Sequence, residues 1–416
     1  MKQIRIGLFG YGVVGSGFGD LVAGIAEATI KKIAVKHPGL HPELQPGILA
    51  ADRYDILYDP EIDLIVEAID DPEAAFEILK LALEKGKPVI TANKQMVAAH
   101  LPEIIRLQKR FQVPVLYEAA CCAGIPVVRT LEEYFRPELV HSASGIINGS
   151  TNYILTAMER YRFRFDHALQ LAQEAGFAES DAALDVEGKD AASKLSIIIR
   201  HLWGKYIAPE NIVHTGIQHV LPQDLRLAEQ LHAVVKLVAQ TTVIAPDRIA
   251  AFILPKLVVK GNVLYPVAHE YNGLVLDDGQ GNEQLLYGKG SGAVPTAQGL
   301  WADVQALQRG YRYTYAAKDP YILSHDHEIA VHLSVPEYAV IPEAVSGQLH
   351  FYAADSRYQY YIGKLSLELL AAGDWWKEQG ISLIDISDIE SEDDNITLIE
   401  KFESVTALQG DIFQAV

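Results

Sequence analysis

The stretch IRIGLFGYGVVGSGF, Ile4 to Phe18, decides the fold of the first third of the chain. It opens as an apolar strand, Ile4 to Phe9, and continues with Gly10, Gly12 and Gly15 in the spacing G-x-G-x-x-G. A helix-compatible run to about Thr29 follows, and then a second strand, KKIAVKH. Strand, glycine turn, helix and strand within about 35 residues is the setting that a dinucleotide fingerprint requires. The first glycine permits a tight turn, the second lets a pyrophosphate approach the backbone, and the third lets helix pack on strand. The helix N-terminus offers free N–H groups and the positive end of its dipole to the phosphates. Cofactor contacts are therefore expected at Gly10, Tyr11, Gly12, Val13, Val14 and Gly15. The same glycines make MKQIRIGLFGYGVVG a poor apolar segment for a signal peptide.

The alternation continues downstream. IDLIVEAI reads as a buried strand, and DPEAAFEILKLALEKGK as a helix with Pro72 near its start and Gly86 as its stop. Strand PVITA, a helix through about Lys109 and strand VPVLYEA follow. Repeated strand–helix alternation predicts a parallel, doubly wound sheet of the Rossmann type, hence an α/β fold. About 20 residues past the fingerprint, an NAD enzyme places an acid on the ribose 2′-hydroxyl. Here Lys36 and His37 hold that neighbourhood, and a cation there leans toward NADP over NAD.

Composition narrows the function. A chain of 416 residues implies two or three domains. The net charge of −19 repels nucleic acid and anionic membranes, and no apolar run is long enough to span a bilayer. The only two cysteines, Cys121 and Cys122, are adjacent, which is neither a disulfide framework nor a metal spacing. They are expected to pack as small buried side chains. A cytoplasmic protein is expected.

Five further motifs stand in order: TANKQMVA from Thr91, YEAACCAGIPVV from Tyr117, GIINGSTNYIL from Gly145, GFAESDAALDVEGKDAASKL from Gly176, and GKGSGAVPTAQ from Gly288. In order and spacing they resemble the homoserine dehydrogenase family over roughly residues 1 to 318. The resemblance implies interconversion of L-homoserine and L-aspartate 4-semialdehyde with NAD or NADP, and a homodimer or higher homo-oligomer. It implies a dinucleotide domain over 1–130, completed by 288–318, and a catalytic and dimerising α+β domain over 131–287. Where the family has Gly-Gly after the third strand, this chain has Asp70 and Asp71, beside the expected cofactor path.

Homoserine carries an ammonium, a carboxylate and a primary hydroxyl, so its site needs an acid, N–H or O–H donors, and a proton carrier. Asp190 and Lys194 are four apart and share one helix face. The same pair could be a surface ion pair. By resemblance Lys194 is the catalytic lysine, Asp190 its partner, and Glu179 and Asp185 acids that bind substrate. Asp181, Glu187 and Lys189 are expected to face water. Asn148, Gly149 and Ser150, after a strand and before a helix, suit a substrate carboxylate, or else simply cap the helix. Lys94, with Thr91, Ala92 and Asn93, lies where nicotinamide and substrate meet, and Gly292 lies against the cofactor cleft. The resemblance also places a sodium ion at Glu118, Cys121, Ala123 and Ile125.

The rest is read coarsely. LRLAEQLHAVVKLVAQT, Leu225 to Thr241, reads as a helix, and FILPKLVV and YNGLVLDD as strands. Residues 319–416 are expected to form a third unit, in which HEIAVHLSVP and ISLIDIS read as strands, and QYYIGKLSLELLAAGDWWKEQG as a strand followed by a helix. That order is compatible with an ACT-type regulatory module, and the acidic run DIESEDDN with a solvated loop. Two rivals stand beside the main reading: another amino-acid-linked NAD(P) oxidoreductase, and a catalytically silent dinucleotide-binding regulator.

Overall fold

The computed structural model describes residues 3–45, 47–135, 139–315, 321–390 and 400–403. The chain divides into two units: Met1–Leu139 with Ser193–Pro209 and Leu286–Asp319, and Val140–Ala192 with Glu210–Leu285 and Pro320–Val416.

The first unit is built on β1 (Ile4–Phe9), β2 (Ala28–Ala34), β3 (Leu64–Glu67), β4 (Val89–Thr91) and β5 (Val115–Leu116). These five lie in the order β2-β1-β3-β4-β5, every neighbouring pair parallel. Their runs of Ile, Leu and Val are buried on both faces, as a sheet covered by helices requires. The helices are α1 (Val13–Ala23), α2 (Tyr54–Leu57), α3 (Pro72–Glu84), α4 (Lys94–Phe111), α5 (Val127–Glu133) and α11 (Ala293–Gln308). Strand order reverses at β1, between β2 and β3, and ligands of such sheets bind outside the carboxyl ends at that point. Helix α1 ends six residues earlier than the sequence suggests. Gly24 follows Ala23, and the β-branched Thr29 and Ile30 already belong to β2. Helix α11 packs on α1, returning late sequence to this unit.

The second unit holds β6 (Ser142–Ile146), β7 (Val213–His214), β8 (Ala233–Ala245), β9 (Arg248–Val259), β10 (Tyr271–Asp277), β11 (Glu283–Lys289), β12 (Ile322–Leu323), β13 (Glu328–Pro336), β14 (Leu349–Ala354), β15 (Tyr358–Ser366) and β16 (Ser382–Asp385). Its helices are α6 (Gly149–Tyr161), α7 (Phe165–Glu174), α8 (Ala183–Val186), α9 (Lys189–Trp203), α10 (Pro222–Gln230), α12 (Glu343–Ser346), α13 (Leu367–Ala371) and α14 (Ser387–Glu390). Helix α9 and strand β11 each begin in the second unit and end in the first. The expected helix over Leu225–Thr241 is corrected: α10 stops at Gln230, His232 turns left-handed at φ 53°, and β8 begins at Ala233. The β-branched Val234, Val235, Val238, Thr241 and Thr242 favour the strand, which burial on both faces then holds.

One sheet joins all eleven strands, in the order β11-β10-β6-β8-β9-β16-β13-β15-β14, with β7 and β12 also on β9. Its last four strands follow one another as β13-α12-β14-β15-α13-β16, and their neighbouring pairs are antiparallel. This is a split βαβ arrangement. It meets β9 at a parallel pairing of Asp385 with Lys256. Lys256 Nζ lies 2.7 Å from Asp388 and 3.6 Å from Asp385. A single apolar cluster runs through the junction, with Val213, Ala250, Phe252 and Leu254 on one side and Ile329, Val331, Leu333 and Trp376 on the other. The acidic run from Ser391 onward lies outside the described residues.

Candidate active site

The fingerprint glycines are held in place by backbone. Gly10 has φ +89°, and a Cβ there would stand 2.3 Å from the Ala68 carbonyl oxygen. A Cβ on Gly15 would stand 2.2 Å from the Gly10 carbonyl oxygen. Gly12 is different: nothing lies within 4 Å of a Cβ built on it. That is an open cradle at the first turn of α1, where a pyrophosphate fits and a side chain would obstruct it. Gly12→Ala is therefore expected to keep the wild-type thermal midpoint and lose at least tenfold in dinucleotide affinity, about 1.4 kcal/mol, checked by equilibrium titration. Equal affinity would remove the cradle reading. Tyr11 and His41 meet edge to face at 5.8 Å, and His41 Nδ1 lies 3.2 Å from Glu43. Lys36 is exposed just after β2. Glu43 is an acid in this neighbourhood that spacing from the fingerprint does not reveal.

The next two loops lie at the same carboxyl edge. Asp71 is committed to the N-cap of α3, accepting the N–H groups of Glu73 and Ala74 at 3.1 and 3.0 Å, while Asp70 is exposed. Thr91 ends β4, Asn93 caps α4 through the Met96 N–H at 2.9 Å, and half-buried Lys94 is the helix's first residue.

In the second unit the acids converge. Asn148 Oδ1 accepts the Thr151 N–H at 2.8 Å, so it does cap α6. Its Nδ2 donates to Asp185 at 2.7 Å and to Asp190 at 2.8 Å. One side chain thus caps a helix and links two of the predicted acids. Asp190 and Lys194 are 2% and 6% exposed, which removes the surface ion-pair reading. Ser150 donates its hydroxyl to the Phe177 carbonyl at 2.7 Å, and Gly149 begins α6 in a buried setting. Glu179 lies on the exposed part of the loop, its carbonyl accepting from Gln173 at 3.0 Å. Lys189 pairs with Glu187 at 2.5 Å near the surface, and Asp181 is exposed, as loop charges should be. The far end of α9 is anchored in the first unit, where His201 Nδ1 lies 2.7 Å from Glu132 and Nε2 lies 2.9 Å from the Tyr117 hydroxyl.

The segment after β5 holds a buried charge cluster. Glu118 accepts the N–H groups of Val128 and Arg129 at 2.7 and 2.9 Å, and the Arg129 Nε at 3.1 Å. Asp303 accepts the Glu118 N–H at 2.9 Å. Burial pushes both carboxyls up from their ordinary range, and Arg129 pulls them back. Cys122 and Ala123 are both left-handed, at φ 64° and 53°. Cys121 and Cys122 are buried free thiols. A hydrogen bond between them and burial raise the Cys121 thiol, while the nearby Lys194 ammonium lowers it. Among the described residues, no three His, Cys, Asp or Glu side chains gather as metal ligands. No helix there is long and apolar enough to cross a membrane.

Comparison with known proteins gives the family. Residues 10–118 match the model of the homoserine dehydrogenase NAD binding domain, and residues 126–305 match that of homoserine dehydrogenase itself. The homoserine dehydrogenase of Bacillus subtilis (strain 168) is 32% identical over 325 residues, 75% of this chain and 74% of that protein. That of Corynebacterium glutamicum is 30% identical over 437 aligned positions, 100% of this chain and 92% of the relative. The crystal structure of a homoserine dehydrogenase from Thiobacillus denitrificans superposes with a TM-score of 0.79 at 26% identity, covering 94% of this chain and 99% of that one. The similarity therefore takes in the fingerprint, the acidic loop and α9 together, and the chain belongs to the homoserine dehydrogenase family.

Proposed function

We propose that the chain interconverts L-homoserine and L-aspartate 4-semialdehyde with Lys194 as the proton carrier at the substrate oxygen. The observation that carries this is the burial of Lys194 on one helix with Asp190, which Asn148 joins to Asp185. When bound, the nicotinamide supplies the hydride in one direction and accepts it in the other. Lys194 donates a proton as negative charge grows on the aldehyde oxygen, and takes it back from the hydroxyl in reverse; such transfer contributes about 10²–10⁴-fold. Asp190, Asp185 and Glu179 supply carboxylates for the substrate ammonium. The Asn148 amide is committed to two carboxylates and the Ser150 hydroxyl to a carbonyl, so the substrate carboxylate is read by N–H groups at the start of α6. Lys94 stands at the cofactor edge as a second cation.

Lys36, exposed just after β2, supports NADP over NAD. Both carboxylate oxygens of Glu118 already accept hydrogen bonds. A sodium ion held by Glu118, Cys121, Ala123 and Ile125 would meet only oxygen donors, which suit a hard cation. The test of the whole reading is nicotinamide reduction by L-homoserine, with NADP and NAD in parallel. Faster turnover with NAD would remove the NADP lean, and silence with both in either direction would remove the reaction.

The split βαβ topology of β13 to β16 supports an ACT-like regulatory module. L-Threonine added to the same assay is expected to depress the rate. Full activity at millimolar threonine would remove the regulatory role.

A further inference from the structure

Glu67 ends β3, at the point where strand order reverses, and is 0% exposed. A buried carboxylate is costly unless its oxygens are satisfied. Here both are. Oε1 accepts the Ile69 N–H at 2.6 Å, on the loop that carries Asp70 and Asp71. Oε2 accepts the Thr91 hydroxyl at 2.5 Å, on the loop that carries Asn93 and Lys94.

The bonds continue from there. Thr91 Oγ1 accepts the Asn93 N–H at 2.9 Å, and Asn93 Nδ2 donates back to the Ile69 carbonyl at 3.0 Å. Asn93 Oδ1 then caps α4 at Met96. Ala68, the next residue after Glu67, is the one whose carbonyl would meet a Cβ on Gly10. One carboxylate therefore lies beneath all three loops at the cofactor edge. A glutamine accepts at one oxygen only, so it would keep the Ile69 bond and have to reverse the bond to the Thr91 hydroxyl.

We propose that Glu67 is a positioning residue for the dinucleotide, a buried clamp that draws the β3–α3 and β4–α4 loops together and slackens when it takes a proton. The proposal rests on the dinucleotide reading of this edge and goes beyond it. Burial pushes the carboxyl up to about 7, the bonds from Thr91 and Ile69 pull it down, and Asp70 pushes it up. The flanking strands face it with uncharged residues, Phe9 on β1 and Thr91 on β4. The clamp is thus set to change state near neutral pH.

The test is the dissociation constant for NADPH, read from cofactor fluorescence across the neutral range, with NADH in parallel. NADH lacks the 2′-phosphate, so a pH slope shared by both cofactors belongs to the protein. Wild type should bind more tightly at the alkaline end, where Glu67 is ionised. Glu67→Gln should bind about tenfold more weakly there, the worth of one hydrogen bond to a charged group, and should lose the shared slope. Thr91→Val removes one of the two groups that favour the ionised form, so its midpoint should move to higher pH. A Glu67→Gln protein with wild-type affinity and slope would overturn the proposal. If that variant does not fold, an unmoved midpoint in Thr91→Val would overturn it. Absence of binding by wild type to either cofactor would instead remove the dinucleotide reading, and the clamp with it.

Discussion

On the mechanism proposed above, replacing Lys194 by alanine will lower kcat for homoserine oxidation by about 10²–10⁴-fold while dinucleotide affinity holds, because that mechanism gives proton transfer to the side chain and binding to the fingerprint. Steady-state kinetics beside a cofactor titration separates the two. The loss should appear in both reaction directions, since the same group gives and takes the proton. Burial sharpens the expectation. At 6% exposure Lys194 sits where solvent cannot readily stand in for it. A loss below tenfold would move the proton carrier elsewhere, and Lys94→Ala would then be the variant with the larger loss.

Asp224→Ala will give the largest stability change, about 3–5 kcal/mol, read as a lowered midpoint in chemical denaturation. Asp224 lies in the first turn of α10 and is fully buried. It accepts the Ser334 hydroxyl at 2.7 Å from β13, the Ser382 hydroxyl at 2.7 Å from β16, and the Leu221 N–H at 2.8 Å. Alanine strands three buried donors, at about 1–3 kcal/mol each, a loss partly offset because the burial cost of the carboxylate itself is removed. Close by, His332 Nδ1 stands 3.9 Å away and Nε2 lies 2.8 Å from the Tyr352 hydroxyl. Burial pushes that imidazole down to about 3, so it stays neutral through the physiological range and adds no compensating charge. Asp224→Asn keeps one acceptor and should lose less. An unchanged midpoint in the alanine variant would show that α10 and the C-terminal strands are held together by their apolar contacts alone.

The nucleotide-binding sheet was legible because its signals are local. The fingerprint spans six residues, and Asp71, Pro72 and Gly86 mark the ends of α3 by cap chemistry alone. The run from Leu225 to Thr241 misleads because a short helix and a long buried strand are both apolar there. Only the left-handed turn at His232 separates them. Asp190 and Lys194 stood out through spacing and resemblance. What spacing could not show is that Asn148 reaches back to Asp185 and Asp190, 37 and 42 residues on. Glu67 was hidden differently: inside LIVEAI it passes for part of an apolar strand. Its meaning comes from Thr91, which only strand pairing brings beside it. Asp303, which receives the Glu118 N–H from 185 residues away, is invisible for the same reason.

The sheet that runs unbroken from β11 to β14 bears on how this architecture can be inherited. A module on a flexible tether can be gained or dropped by recombination with little harm to its host. Here Ala250, Phe252 and Leu254 of β9 share one oil-filled interior with Ile329, Val331 and Leu333 of β13. Deleting the last hundred or so residues would leave a bare, sticky face on the strands that remain, the kind that invites aggregation. A lineage shedding this module must therefore rewrite β9 at the same time, so losing the one part demands changes in the other.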